Sequence, residues 1–438
     1  MRDVLITLVV VGSLPLIFKQ PWMGAVLWVW ISVMSPHTQG WGFARDFPFA
    51  YMIAVTTVAA MVFSKRKFRI PWSPLMVVFM LFVGWMCLTS VFAIHPDQVG
   101  TQLLKVLKIM GMTVVVAMLV KSRRHIDWLI WTIVVSIGYY GVKGGIFTLR
   151  SGGQYRVWGP IGTFIDGNNE MALALIIIIP LMFYLHSRIP NKWGRHTMIV
   201  CMVLCGLASL GSYSRGAVVA MIAMLLFLWL KSPNKIMLGM LIVCAVPAAM
   251  VLMPAQWYER IDTINTYQQD ESAQGRLNAW HMAFNLANDR PLGGGFEIYD
   301  SGVFARYAPV PENVHAAHSI YFQTLGEHGW MGLAIYLTLG VLTWRAGSAV
   351  VQRAKGRKDM EWAVLMAKML QVSLLGFAVG GAFLSLVYFD VPYYLMVCMM
   401  ALKNIVVRAG QHAPDAESAP AATLKVQRHE PGRHRETA

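Results

Sequence analysis

Residues 168–187 read NNEMALALIIIIPLMFYLHS, and from Met171 to Leu185 the stretch carries no charge. As a helix its twenty residues reach about 30 Å, the thickness of a bilayer's hydrocarbon core. Comparable apolar runs lie on both sides, at 22–36, 48–63, 73–94, 102–120, 127–149, 197–213, 215–230, 236–254, 319–344, 363–386 and 390–407. A shorter run, Val4 to Phe18, precedes them and ends at Lys19-Gln20-Pro21. It lacks a small-x-small cleavage site, so it does not read as a removed signal peptide; a thirteenth helix, a half-helix or an interfacial segment all remain open. The pattern predicts an all-α integral membrane protein, a bundle of about twelve transmembrane helices with one large hydrophilic loop.

Composition agrees. Of 438 residues, 56% are hydrophobic and only 13% charged, about half the charge of a soluble chain. That excludes an ordinary soluble enzyme and a disordered chain. The formal charge of +15 reads as positive loops on a membrane protein, with no nucleic acid partner implied. All five cysteines, Cys87, Cys201, Cys205, Cys244 and Cys398, lie inside apolar runs, as small hydrophobes do.

Lys and Arg set the orientation. Loops 64–70, 121–125, 188–196, 231–235 and 345–358 hold seventeen basic residues; the alternate loops 37–47, 95–101, 150–167 and 255–317 hold seven, although they are longer. The first set is therefore assigned to the cytoplasm. The expected divisions are a short segment at 1–21, about nine helices in 22–254, an outer loop at 255–318, three helices in 319–408 and a disordered cytoplasmic tail at 409–438. A structureless loop as long as 255–318 is uncommon, so it is expected to carry structure and a role. Within it, Leu277, Trp280, Phe284 and Ala287 recur at helical spacing and predict an amphipathic helix over 276–287.

Six basic residues run against the charge bias: Lys105, Lys108, Lys143, Arg156, Arg215 and Arg276 all fall towards the outer end. Cations at membrane depth are expensive and usually meet an anion. Arg215 also opens a helix, whose free amides and dipole add to its charge. Singly, each could instead snorkel or pair with an acid such as Asp262 or Asp289. His315-Ala-Ala-His318 directly precedes the 319–344 run. No third ligand stands nearby and no Asp-x-Asp occurs, so a metal site is disfavoured. A histidine at a helix start is poised as a neutral base, though a water-bonded interfacial histidine fits equally well. Gly293-Gly294-Gly295 lacks the Gly-Lys-Ser/Thr of a P-loop and reads as a turn. Asp166-Gly167-Asn168-Asn169-Glu170 reads either as a helix cap or as amides offered to a sugar.

Ser214-Arg215-Gly216, then Gly275-Arg276 … Trp280 … Pro291-Leu292-Gly293-Gly294-Gly295, then His318-Ser319-Ile320-Tyr321-Phe322 … Glu327-His328-Gly329 occur in this order around the outer loop. This ordered set resembles the O-antigen ligase/O-antigen polymerase superfamily of bacterial membrane glycosyltransferases, over roughly residues 20–405. Met34-Ser35-Pro36-His37 … Trp41-Gly42-Phe43 and Gly141-Val142-Lys143-Gly144-Gly145-Ile146-Phe147 are most similar to its ligase and O-glycosylation ligase members. The resemblance implies a GT-C-type bundle in the inner membrane. It implies a donor glycan on undecaprenyl pyrophosphate, transferred at the periplasmic face to a lipid A–core acceptor without metal or cofactor and with inversion. It also implies functional arginines at Arg215 and Arg276 and an essential histidine at His318. Lys105, Lys108, Lys143 and Arg156 are then candidates for holding the pyrophosphate. A protein or a growing glycan as acceptor keeps the same donor chemistry. A transporter of the lipid-linked glycan is the reading from a different class, but the cations gather at one leaflet rather than at the midplane.

Overall fold

The computed structural model describes residues 1–232, 234–251, 253–262 and 271–411. Its helices begin with α1 (Arg2–Lys19), α2 (Trp22–Met34), α3 (Phe49–Phe63), α4 (Pro74–Val91), α5 (Pro96–Leu119) and α6 (Arg123–Arg150). They continue as α7 (Asn168–Arg188), α8 (Lys192–Leu210), α9 (Arg215–Lys231) and α10 (Lys235–Val251). The hydrophilic loop holds α11 (Ala255–Asp262), α12 (Glu271–Asp289) and α13 (Ser301–Tyr307), and the chain closes with α14 (Ile320–Ala354), α15 (Glu361–Gly381) and α16 (Asp390–Gln411). No strand occurs among the described residues. Most of the predicted tail, from 412 on, lies outside the described residues, as does 263–270 of the loop.

Each of the twelve apolar runs is helical, and eight helices, α4 to α8 and α14 to α16, are long and apolar enough to cross a membrane. This is a multi-pass membrane protein. α2 and α3 have only 13 and 15 residues, because Ser35-Pro36 ends one and Pro48 precedes the other, and proline interrupts the helical ladder. The segment 4–18 resolves into α1, which packs on α2 and α3. Asp3 near its start accepts the amides of Gly42 and Ala44, each at 3.2 Å. The chain therefore begins at the same end of the bundle as the 35–48 loop.

The run quoted first forms the heart of the bundle. In α7, Met171 to Ile178 are fully buried among α6, α8, α9 and α15. The contact between α6 and α8 is close because Gly145 carries no side chain: a Cβ there would sit 2.3 Å from the Leu204 carbonyl oxygen. The Gly141-Val142-Lys143-Gly144-Gly145 sequence is thus a packing face, with Lys143 exposed on the other side.

α14 breaks at Gly329, whose φ of 68° and ψ of −175° leave the helix. The break strands the carbonyls at the end of its first segment, which need other donors. Gly294 N–H reaches Gly326 O at 2.9 Å, Gly295 N–H reaches Glu327 O at 2.8 Å, and the Trp85 indole reaches His328 O at 2.9 Å. A Cβ at Gly329 would lie 2.0 Å from Pro291 O. The glycine run is a turn, as expected, and it also stitches the end of α12 into the broken helix. α12 itself covers the predicted amphipathic helix, but the buried face differs. Ala279, Met282, Ala283 and Leu286 are enclosed while Phe284 is 43% exposed. Asn278 explains the rotation: buried, it donates to Val310 O and Asn313 O and accepts from Val310 N–H.

Candidate functional site

Two helix starts meet at the loop-rich end. α9 is capped by Ser214, whose hydroxyl accepts the Ala217 amide at 3.1 Å. The turn before it is held by Trp257, which donates to Leu210 O, and by the Tyr213 hydroxyl, which donates to Gly153 O. Tyr213 takes a φ of +60°, a region a bulky residue occupies only when its surroundings impose it. α7 starts behind Gly167 with no side-chain cap, so Asn168 is not spent on capping. Its amide donates to Ser212 O at 2.7 Å and ties the two starts together. The 151–167 loop is anchored by Val157, which is buried and donates to Gly211 O at 3.0 Å.

Between these elements lies a cavity of about 100 Å³, lined by Arg156, Asn168, Asn169, Tyr213, Ser214, Arg215, Ser272 and Arg276 on its polar sides and by Leu173, Phe383 and Leu384 elsewhere. One water takes about 10–15 Å³ in this measure, so the space suits several waters or a small polyanion. Three guanidinium groups from three separate segments face it, beside two helix N-termini whose amides and dipoles also favour negative charge. Arg156 lies over the Tyr213 ring, 5.8 Å from its centroid. Arg276 is close enough to Glu170 and to His318 for their charges to interact. Gly216 packs on Phe383, and Gly275 leaves room for the His315 ring, which a Cβ would meet at 2.7 Å.

His318 stands beside this cavity rather than in its lining. It precedes α14 with a φ of +42°, and its amide donates to Ser385 Oγ at 3.0 Å. Ser385 follows the wall residues Phe383 and Leu384. Burial first, then the charges of Arg276 and His315, push the His318 imidazole down to about 4. The ring is therefore neutral at pH 7. Its Nδ1 is buried and has no hydrogen-bond partner among the described residues.

Of the seven site residues expected from sequence, Arg156, Arg215, Arg276 and His318 come together. Lys105, Lys108 and Lys143 are exposed and outside the cavity lining; the Lys105 ammonium lies 4.6 Å from the Phe164 ring centroid. His315 is exposed and backs Gly275. Sequence reasoning missed Ser272, although it lies four residues before Arg276 and hence on the same helical face. It read Asn168 and Asn169 within a stretch that is either a helix cap or a set of amides offered to a sugar; α7 has no side-chain cap at its start, and nothing in the sequence marks Ser385. Among the described residues, no group of three or more His, Cys, Asp or Glu side chains could hold a metal ion.

Residues 199–337 match the family described as O-antigen ligase. That match supports, for this segment, the resemblance to the O-antigen ligase superfamily. Residues 1–189 match a family of unknown function, and no curated protein matches the chain. The ligase-family segment supplies Ser214, Arg215, Arg276 and His318, whereas Arg156, Asn168 and Asn169 come from the N-terminal match. The cavity is thus built by both matched segments and closed by Phe383 and Leu384 beyond them.

Proposed function

We propose that this protein is an O-antigen ligase of the GT-C type, with its twelve apolar helices and α1 crossing the bacterial inner membrane. It transfers a glycan from undecaprenyl pyrophosphate to the lipid A–core oligosaccharide at the periplasmic face, without a metal or cofactor. The observation that carries this reading is the convergence of Arg156, Arg215 and Arg276 on one cavity at the starts of α7 and α9. The planar fork of arginine holds phosphate oxygens in pairs, and the helix starts add fixed amides. The loop charges support the orientation, since the cavity lies at the end away from the basic loops.

In the proposed reaction the acceptor hydroxyl gives its proton to the neutral His318 ring as its oxygen attacks the anomeric carbon. The bond from that carbon to the pyrophosphate oxygen breaks, and the electron pair leaves with the oxygen. The arginines stabilise the charge growing there. One direct displacement inverts the anomeric carbon. The test is transfer in liposomes that contain the purified protein, lipid-linked glycan and lipid A–core, with and without EDTA. The expected product is glycosylated lipid A–core of inverted configuration, formed equally well with chelator. Retention of configuration, or activity that collapses with EDTA and returns with Mg²⁺, contradicts the reading; so does an active preparation that glycosylates only a protein or another glycan.

A further inference from the structure

The peptide group joining Ala317 to His318 is held at both ends. Its carbonyl accepts the Trp280 indole N–H at 2.7 Å, and its N–H donates to Ser385 Oγ at 3.0 Å. The orientation of that one peptide plane sets φ of His318, the +42° that a non-glycine residue rarely adopts. A flipped peptide would relax the backbone and break both hydrogen bonds. Each donor or acceptor is itself fixed. Trp280 stacks on Phe322, with ring centroids 4.8 Å apart and planes 7° from parallel. Ser385 belongs to the 382–389 connection between α15 and α16. The far end of that connection is pinned where the Tyr388 hydroxyl donates to the Glu327 carboxylate and meets His328 Nε2 at 2.7 Å. Ala317 is fully buried, so water does not replace a lost partner readily.

Resting on the ligase reading, we propose that Trp280 and Ser385 are positioning residues for the transfer reaction. They clamp the Ala317–His318 peptide and so hold the His318 imidazole beside Arg276 in a conformation its own backbone disfavours. Neither side chain touches donor or acceptor. The loop helix α12 thereby does two tasks, with Arg276 facing the cavity and Trp280, one turn later, fixing the base.

The test uses the full-length protein with Trp280→Phe, which keeps the stacking ring and removes the N–H, and with Ser385→Ala and Ser385→Thr. Trp280→Phe and Ser385→Ala lower single-turnover transfer on the order of 10²-fold, the scale of a slightly misplaced catalytic group, while donor affinity stays as in wild type. The acid limb of their pH profiles moves up as the imidazole leaves its partly buried place. Ser385→Thr retains the hydroxyl and restores most of the rate. Carbethoxylation of His318 by diethyl pyrocarbonate, followed by peptide mass spectrometry, is faster in Trp280→Phe and Ser385→Ala than in wild type. This last readout needs no transfer, so it separates failure of the clamp from failure of the ligase reading. Wild-type rates and pH limbs in both deletion variants overturn the proposal. So does a loss of donor binding that matches the loss of rate, since the residues would then maintain the cavity instead of the base.

Discussion

Three arginines and three lysines share the same sequence signature, a cation on the outer side against the charge bias, yet they end in different places. Arg156, Arg215 and Arg276 face one cavity, while Lys105, Lys108 and Lys143 remain exposed outside its lining. Position within the element makes the difference. Arg215 opens α9, Arg276 lies one turn into α12, and Arg156 sits on a loop pinned at Val157. The lysines lie well inside α5 and α6, where the backbone amides are already used by the helix. Helix starts add their dipoles to the side-chain charge, and only the first group has such starts nearby.

That contrast can be broken by mutation. Arg215→Ala or Arg276→Ala removes charge-assisted hydrogen bonds of roughly 1.5–3 kcal/mol, so transfer from the lipid-linked donor should fall on the order of 10- to 100-fold. Arg→Lys at either position should recover only part, because the charge returns without the fork. The triple change Lys105→Gln, Lys108→Gln, Lys143→Gln should stay within a few-fold of wild type in the same assay. A triple variant as impaired as the arginine variants would mean the anion site extends to the lysines.

The smallest effect sharpens the role of His318. With its imidazole held near 4 by burial and by Arg276 and His315, transfer should hold steady from pH 7 down towards 4 and fall below it as the ring takes up a proton. His315→Gln removes one nearby charge, so the acid limb should shift slightly to higher pH while the rate at pH 7 stays close to wild type. The sign for stability is fixed by the same depression. The unfolded chain protonates near 6.5 and the folded chain only near 4, so acid between those values favours unfolding at this residue. A limb that moves down in His315→Gln would contradict the assignment.

The helices were legible because run length and loop charge are local properties. The twelve runs follow from them directly, whereas they leave 4–18 open among a thirteenth helix, a half-helix and an interfacial segment. The site was legible only in part. His328 stands in the same ordered set of motifs as His318, but the resemblance assigns a role to His318 alone. In the fold, His328 is fully buried, with Nδ1 2.7 Å from Thr89 Oγ1 and Nε2 2.7 Å from the Tyr388 hydroxyl, whereas His318 keeps a ring nitrogen without a partner among the described residues. The partners that separate them lie 60 and 239 residues away along the chain, beyond any spacing rule. The positive φ of Tyr213 and His318 was equally hidden, since neither is glycine. Gly293-Gly294-Gly295 shows the middle case: its turn chemistry is local, but its partners exist only because α14 breaks at Gly329.

The central claim is that the arginines hold the donor's pyrophosphate while His318 acts on the acceptor. Binding of radiolabelled lipid-linked glycan to folded, membrane-inserted Arg215→Ala, Arg276→Ala and His318→Ala, beside single-turnover transfer in the same preparations, tests it most directly. The account predicts weakened donor binding in both arginine variants. It predicts near-normal binding in His318→Ala, with turnover reduced about 10²- to 10⁴-fold as for a lost general base. Normal chemistry with poor donor binding in His318→Ala, or unchanged donor binding in both arginine variants, would contradict it.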